Sequence, residues 1–117
     1  DVGDKADAYG YLRQASRMDL DNVNGNTFFG LHAACMGASW MMMVNGYAGL
    51  RIYDEKLHFE PFIHDGWNSY SFKLLFRGVR LRVTVTKQNT VYEVLSGGAI
   101  TISHNGKDIT IKDKTVV

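Results

Sequence analysis

Between Asn22 and Leu50 the chain carries no Asp, Glu, Lys or Arg, although these residues make up 21% of the 117. The run, NVNGNTFFGLHAACMGASWMMMVNGYAGL, is rich in Met, Ala, Gly and aromatic side chains. A helix that is apolar on every side loses free energy in water whichever way it turns, so the expectation is burial, with the flanking segments as cover. The uncharged stretch from Phe28 to Leu50 has the length of a bilayer span, which takes roughly 20 apolar residues. His32, Ser39, Asn45 and four glycines interrupt it and no cluster of positive charge flanks it, so the expectation is a buried helix and no membrane.

The length fits one ordinary domain, and 45% hydrophobic residues can supply a core. The formal charge is +1, and the 13 basic residues are spread along the chain without forming a stripe that would follow a phosphate backbone, so no nucleic acid is expected. The single cysteine, Cys35, cannot close an internal disulfide, which suits a reducing compartment and a cytoplasmic location. The opening DVGDKADAYG has no apolar signal region. It lacks an initiating Met and already reads as the inside of a helical domain, so the chain is expected to be a piece of a longer one.

From Asp4 to Met18, Ala8, Tyr9, Tyr11, Leu12 and Ala15 alternate at helical spacing with Lys5, Asp7, Arg13, Gln14 and Arg17, and Asp4 suits an N-cap. MDLDNVNGNT is turn-forming and predicts a loop. A second helix is expected to begin between Phe29 and Ala34 and to end near Asn45 to Gly49, where Asn-Gly and Gly supply stop signals. After Leu50 the period becomes two. RIYD and KLHFE precede Pro61, then Tyr70 to Phe76 and Val79 to Thr86 flank Arg77-Gly78 as a hairpin with one apolar face. Val91 to Leu95 follows a Gln88-Asn89 turn, and Ile100 and Ile102 face Ile109 and Ile111 across Asn105-Gly106, a pair suited to a type I′ turn. About seven short strands at this spacing predict an antiparallel β-sandwich.

His32 lies at or just after the expected helix start, where unpaired N–H groups and the positive end of the dipole suit an anion such as phosphate. By pattern alone, a buried His bonded to a backbone carbonyl is the commoner case. Cys35 is one turn further on. A Cys beside a His can be a nucleophile, but among Ala and Met it is more often a small packed hydrophobe. The histidines at 32, 58, 64 and 104 have no metal-ligand spacing, so no metal is expected. Trp67, Tyr70 and Tyr92 could stack on sugars, although alternation turns most of the β aromatics inward. No pair among Asp19, Asp21, Asp54, Glu55 and Glu60 has a separation that sequence can judge for glycoside hydrolysis.

The wording of the central stretch says more than its period. MDLDNVNGNTFFGLHAACMGASWMMMVNGYAGLR closely resembles the C-terminal part of the disaccharide phosphorylases of glycoside hydrolase family 65, which act on maltose, trehalose, kojibiose or nigerose. Gly30, Leu31, His32, Ala34, Met36, Gly37, Ser39 and Trp40 match the family pattern. The start IYDEKLHFEP, Trp67 and the FKLLFRG hairpin look like the family's C-terminal sheet domain, so the resemblance covers nearly the whole chain.

It implies an α+β fragment: residues 1–49 as the last helices of a catalytic (α/α)6 barrel, and residues 50–117 as an antiparallel β-sandwich C-terminal domain. It implies a cytoplasmic homodimer that cleaves an α-linked glucose disaccharide with inorganic phosphate, inverting the anomeric centre to give β-glucose 1-phosphate and a sugar. Phosphate is then a co-substrate and no cofactor is needed. Phosphate contact falls to His32 and the backbone around Cys35, Met36 and Gly37. The general-acid Glu lies upstream of this chain, so no catalytic residue is expected within it. Two positions depart from the family pattern: Cys35 stands where the family has Ser, removing a hydroxyl donor, and Ala38 stands for a second Gly. Two other readings stay open, a family 65 hydrolase and a non-catalytic carbohydrate-binding or structural β-sandwich module.

Overall fold

The structure, a computed structural model, describes residues 4–117; the first three residues of the expected helical segment lie outside the described residues. The chain divides into two compact units, residues up to Gly46 and Tyr47–Val117.

The first unit begins with α1, Lys5–Ser16, capped by Asp4, whose carboxylate accepts from the Asp7 N–H at 3.1 Å. Among the residues of α1, only Leu12 is buried. The loop that follows is built by side chains bonding to nearby groups, as its Asp and Asn content predicts. Arg17 grips Asp21 with a two-pronged contact, Nε to Oδ2 at 2.8 Å and Nη2 to Oδ1 at 2.5 Å. Asn22 Oδ1 accepts from both the backbone N–H and the hydroxyl of Thr27, closing the chain onto a short 3-10 turn at Thr27–Phe29. α2 runs over Ala33–Met41, packs against α1, and widens into a π-helical turn at Met42–Tyr47.

The expected burial of Asn22–Leu50 is overturned for its first two-thirds. Phe28, Phe29, Leu31, Met36, Trp40 and Met41 are all exposed, Phe29 to 83%. A pair of short helices has too little surface to enclose apolar side chains on every side of one of them.

The second unit is two four-stranded sheets. One has the order β1-β2-β6-β7, from Arg51–Tyr53, Lys56–Phe59, Ile100–His104 and Lys107–Ile111. The other has the order β3-β4-β5-β8, from Ser69–Phe76, Val79–Thr86, Thr90–Ser96 and Lys114–Val116. Alternation decides the core: Leu57, Phe59, Ile102 and Ile111 from the first sheet meet Leu81, Val83, Val85 and Tyr92 from the second. Three hairpins turn on pairs of left-handed residues, Asp54-Glu55, Arg77-Gly78 and Asn105-Gly106, the conformation of type I′ turns.

Two expectations for the sheets are corrected. β2 and β6 run parallel, with His58 opposite Ser103, because the chain leaves the first sheet after β2, builds β3 to β5 in the second, and re-enters beside β2 in the same direction. An eighth strand, β8, pairs with β5 at the second sheet's edge; its three residues are too few and too polar to show a period. A bulge where Leu81 pairs with Val94 and Arg80 with Ser96 gives β5 one extra residue.

Candidate functional site

His32 occupies the N-cap of α2, yet its side chain makes no capping bond to the helix. It is held instead from the loop, 13 residues back. Asp19 Oδ2 accepts the His32 backbone N–H at 2.8 Å, and Asp19 Oδ1 pairs with the ring Nδ1. One carboxylate thus fixes both the main chain and the imidazole, and the ring keeps 30% of its side-chain surface exposed. The hydrogen bond from the ring, followed by that from the backbone, holds the Asp19 carboxyl below the usual carboxylate range. A carboxylate can only accept, so the shared proton sits on Nδ1 and Nε2 is the ring nitrogen left for another partner.

The other residues expected around phosphate follow on the same helix turn. Cys35 is a half-buried free thiol. Its backbone N–H and that of Met36 both donate to the His32 carbonyl, at 2.9 and 3.3 Å. Ala33 N–H donates to Leu31, which leaves Ala34 as the amide of this turn without a backbone acceptor among the described residues. The Met36 side chain is exposed, and a Cβ on Gly37 would meet nothing within 4 Å. Ser39 Oγ donates back to the Cys35 carbonyl at 2.8 Å, the usual way a mid-helix hydroxyl is satisfied. His32, Cys35, Met36 and Gly37 therefore share one open helix end. The expected backbone donors at Cys35 and Met36 are already engaged there, and among the described residues the Ala34 N–H has no backbone acceptor.

Sequence reasoning placed Asp19 among the turn formers and among the carboxylates whose pairing for glycoside hydrolysis it could not judge. Nothing in its spacing to His32 signals the pairing, since the loop between them has no period. Asp21, two residues on, is committed to Arg17.

In the sheet unit the aromatic candidates serve packing. Tyr92 is fully buried, with its hydroxyl 2.9 Å from His104 Nδ1. The Tyr70 hydroxyl donates to the Phe62 carbonyl at 3.0 Å, and burial pushes its phenol to a raised pKa. Trp67 is half-buried, with its ring centroid 4.8 Å from that of Tyr47 and edge-on to Tyr70. Among the described residues, no three of His, Cys, Asp and Glu gather as metal ligands would, and no helix is long and apolar enough to cross a membrane.

The family model for the glycosyl hydrolase family 65 C-terminal domain matches residues 50–111. The chain is similar to an alpha,alpha-trehalose phosphorylase of Thermoanaerobacter brockii, 39% identical over 112 residues, covering 96% of this chain and 14% of the relative. It is 42% identical over 106 residues to an alpha,alpha-trehalose phosphorylase of Geobacillus stearothermophilus, covering 91% of this chain and 14% of that protein. A solved structure provisionally named kojibiose phosphorylase, from the human microbiome, superposes with a TM-score of 0.92 at 34% identity, covering 99% of this chain and 15% of that one. The chain thus spans about one-seventh of the length of the relatives it matches. With more than half of its residues inside the family model, the chain belongs to glycosyl hydrolase family 65, whose C-terminal domain it carries.

Proposed function

We propose that this chain is the C-terminal part of an inverting phosphorylase that cleaves an α-linked glucose disaccharide with inorganic phosphate, yielding β-glucose 1-phosphate and a free sugar. One observation carries the reading: likeness to proteins named disaccharide phosphorylases extends over 96% of the chain, and so takes in the helical unit with His32 as well as the sheets. In this reading the residues of 1–49 are the last helices of the (α/α)6 barrel, and 50–117 is the C-terminal sandwich. The exposed Phe28, Phe29, Leu31 and Trp40 support a barrel partner, since such side chains gain free energy only when covered.

His32 presents Nε2 to phosphate at the open end of α2, where the helix dipole favours an anion. Cys35, Met36 and Gly37 form the wall behind it, with the Cys35 thiol as a weak donor and the open Ala34 amide beside it. Phosphate carries its own nucleophilic oxygen, so this part of the enzyme has only to hold and orient it. The general acid belongs to the upstream barrel. The enzyme is a cytoplasmic homodimer in this reading, and the half-buried free thiol of Cys35 suits a reducing compartment.

The test is phosphate dependence of the full-length enzyme on trehalose, maltose and kojibiose. Cleavage should require phosphate and release β-glucose 1-phosphate. Equal rates without phosphate would indicate a hydrolase and sink the reading. His32→Ala should raise the KM for phosphate by about tenfold or more, the scale of a hydrogen bond to a charged group.

A further inference from the structure

We infer that Asp19 is the positioning residue for His32: its carboxylate forks between the His32 backbone N–H and ring Nδ1, and so sets which ring nitrogen faces phosphate. The inference rests on reading His32 as a phosphate ligand.

Three observations carry it. First, both oxygens of Asp19 are used, and both on the same residue, 13 positions away across a loop. A side-chain oxygen that merely closed a turn would accept from amides near itself in sequence, as the Asp4 carboxylate does from Asp7 and the Asn22 amide oxygen does from Thr27. Second, the charge of Asp19 is not spent on the neighbouring guanidinium, because Arg17 is occupied by Asp21. Third, Asp19 is the more enclosed partner, with 15% of its side chain exposed against 30% for His32, so the ring is the member of the pair that solvent reaches more.

The chemistry follows from the proton count. A bare carboxylate beside an anion site would repel phosphate. With the imidazole as the more exposed partner, Nδ1–H donates to Asp19 and Nε2 offers a lone pair. One P–OH proton of dihydrogen phosphate can pass to Nε2, leaving the hydrogen phosphate dianion paired with an imidazolium whose Nδ1–H remains on Asp19. No charge is created or lost among the three groups, and the dianion is held by an ion pair that the ground state and the transition state share.

Asp19→Asn separates this role from a structural one. The amide oxygen can keep the His32 backbone N–H, which places the amide NH2 against Nδ1. Nδ1 must then accept, and the ring proton moves to Nε2. The helix start is preserved and the tautomer is inverted.

In the full-length enzyme, Asp19→Asn should raise the KM for phosphate by roughly tenfold, the scale of loss when the partner of a working histidine is removed. The kcat at saturating phosphate should change by less than about threefold, since uniform binding is what is lost. Nitrogen-15 spectra of the imidazole should show the proton on Nδ1 in the native enzyme and on Nε2 in the variant. Asp19→Glu should restore the native tautomer and recover part of the KM. In a His32→Ala background, Asp19→Asn should have no further effect on the phosphate KM.

An unchanged KM in Asp19→Asn, with His32→Ala impaired, would overturn the positioning role and leave the phosphate reading standing. An unchanged KM in His32→Ala would overturn the phosphate reading itself. If Asp19→Asn impairs the enzyme equally with and without His32, Asp19 acts independently of the ring and the inference is wrong.

Discussion

The two units handle apolar surface in opposite ways. In the sheet unit, alternation puts Leu81, Val83, Val85, Ile102 and Ile111 at 7% exposure or less, packed around Tyr92 and Phe59. Among the described residues of the helical unit, Leu12 and Val44 are the buried hydrophobics, while Leu20, Phe28, Phe29, Leu31, Met36 and Trp40 are exposed. A sheet presents one face and needs one partner face, which a second sheet from the same chain supplies. A helix apolar on all sides needs neighbours on all sides, and two helices cannot provide them. The sheet unit thus contains the reasons for its own stability, and the helical unit leaves much of its apolar surface uncovered.

The largest expected effect would break the comparison outright. Residues 47–117 produced alone should unfold cooperatively in denaturant and keep a β-sheet circular dichroism spectrum. Residues 1–46 alone should show little helix, because isolated helices shorter than about 12–15 residues are marginal in water. A stable, cooperatively folded helical piece would remove the contrast.

Smaller effects come from single side chains in the 117-residue chain. Phe59→Ala should cost about 3–5 kcal/mol in equilibrium denaturation of the sheet unit, through lost burial and the cavity left behind. Phe29→Ala, at an exposed position, should stay within about 0.5 kcal/mol. If the two costs were equal, Phe29 would be as well covered as Phe59 in solution.

The smallest effect sharpens the comparison through pH. Burial lowers the pKa of His104, so below about pH 6.5 the unfolded chain binds a proton that the folded sheet unit resists. Stability of that unit should fall as pH drops through this value, and His104→Gln should flatten the slope. The Asp19 pKa is also lowered, but from 3.8, so its contribution to the helical unit is present above that pH and is lost as pH falls through the lower folded value. Melting of the sheet unit should therefore respond near neutral pH, and the Asp19–His32 contact only in strong acid.

Much of the sheet unit was legible because period two and turn chemistry are local. Arg77-Gly78 and Asn105-Gly106 announce hairpins, and the registers Phe76 to Val79 and His104 to Lys107 follow from two-residue turns. Asp54-Glu55 makes the same turn without a glycine and was invisible as a hairpin signal. At Gly97, by contrast, the need for glycine comes from afar: φ is +95° and a Cβ would fall 2.2 Å from the Gly78 carbonyl oxygen. The cap of α1 at Asp4 and the start of α2 were legible for the same local reason. The candidate site was legible only in part. His32 was found from its place at the helix start and, with Cys35, Met36 and Gly37, from wording that resembles the family, whereas nothing in the sequence tied Asp19, a turn former and one carboxylate among several, to His32.

The sequence by itself determined most of the element types, the hairpin turns at Arg77-Gly78 and Asn105-Gly106 and the inward faces of the longer strands, because each depends on residues within a few positions of one another. The tertiary structure decided the parallel meeting of β2 and β6, the edge strand β8, the exposure of the uncharged helix, and the grip of Asp19 on His32. Each of these joins residues or elements whose separation along the chain carries no period, so only closure of the chain in space could bring them together.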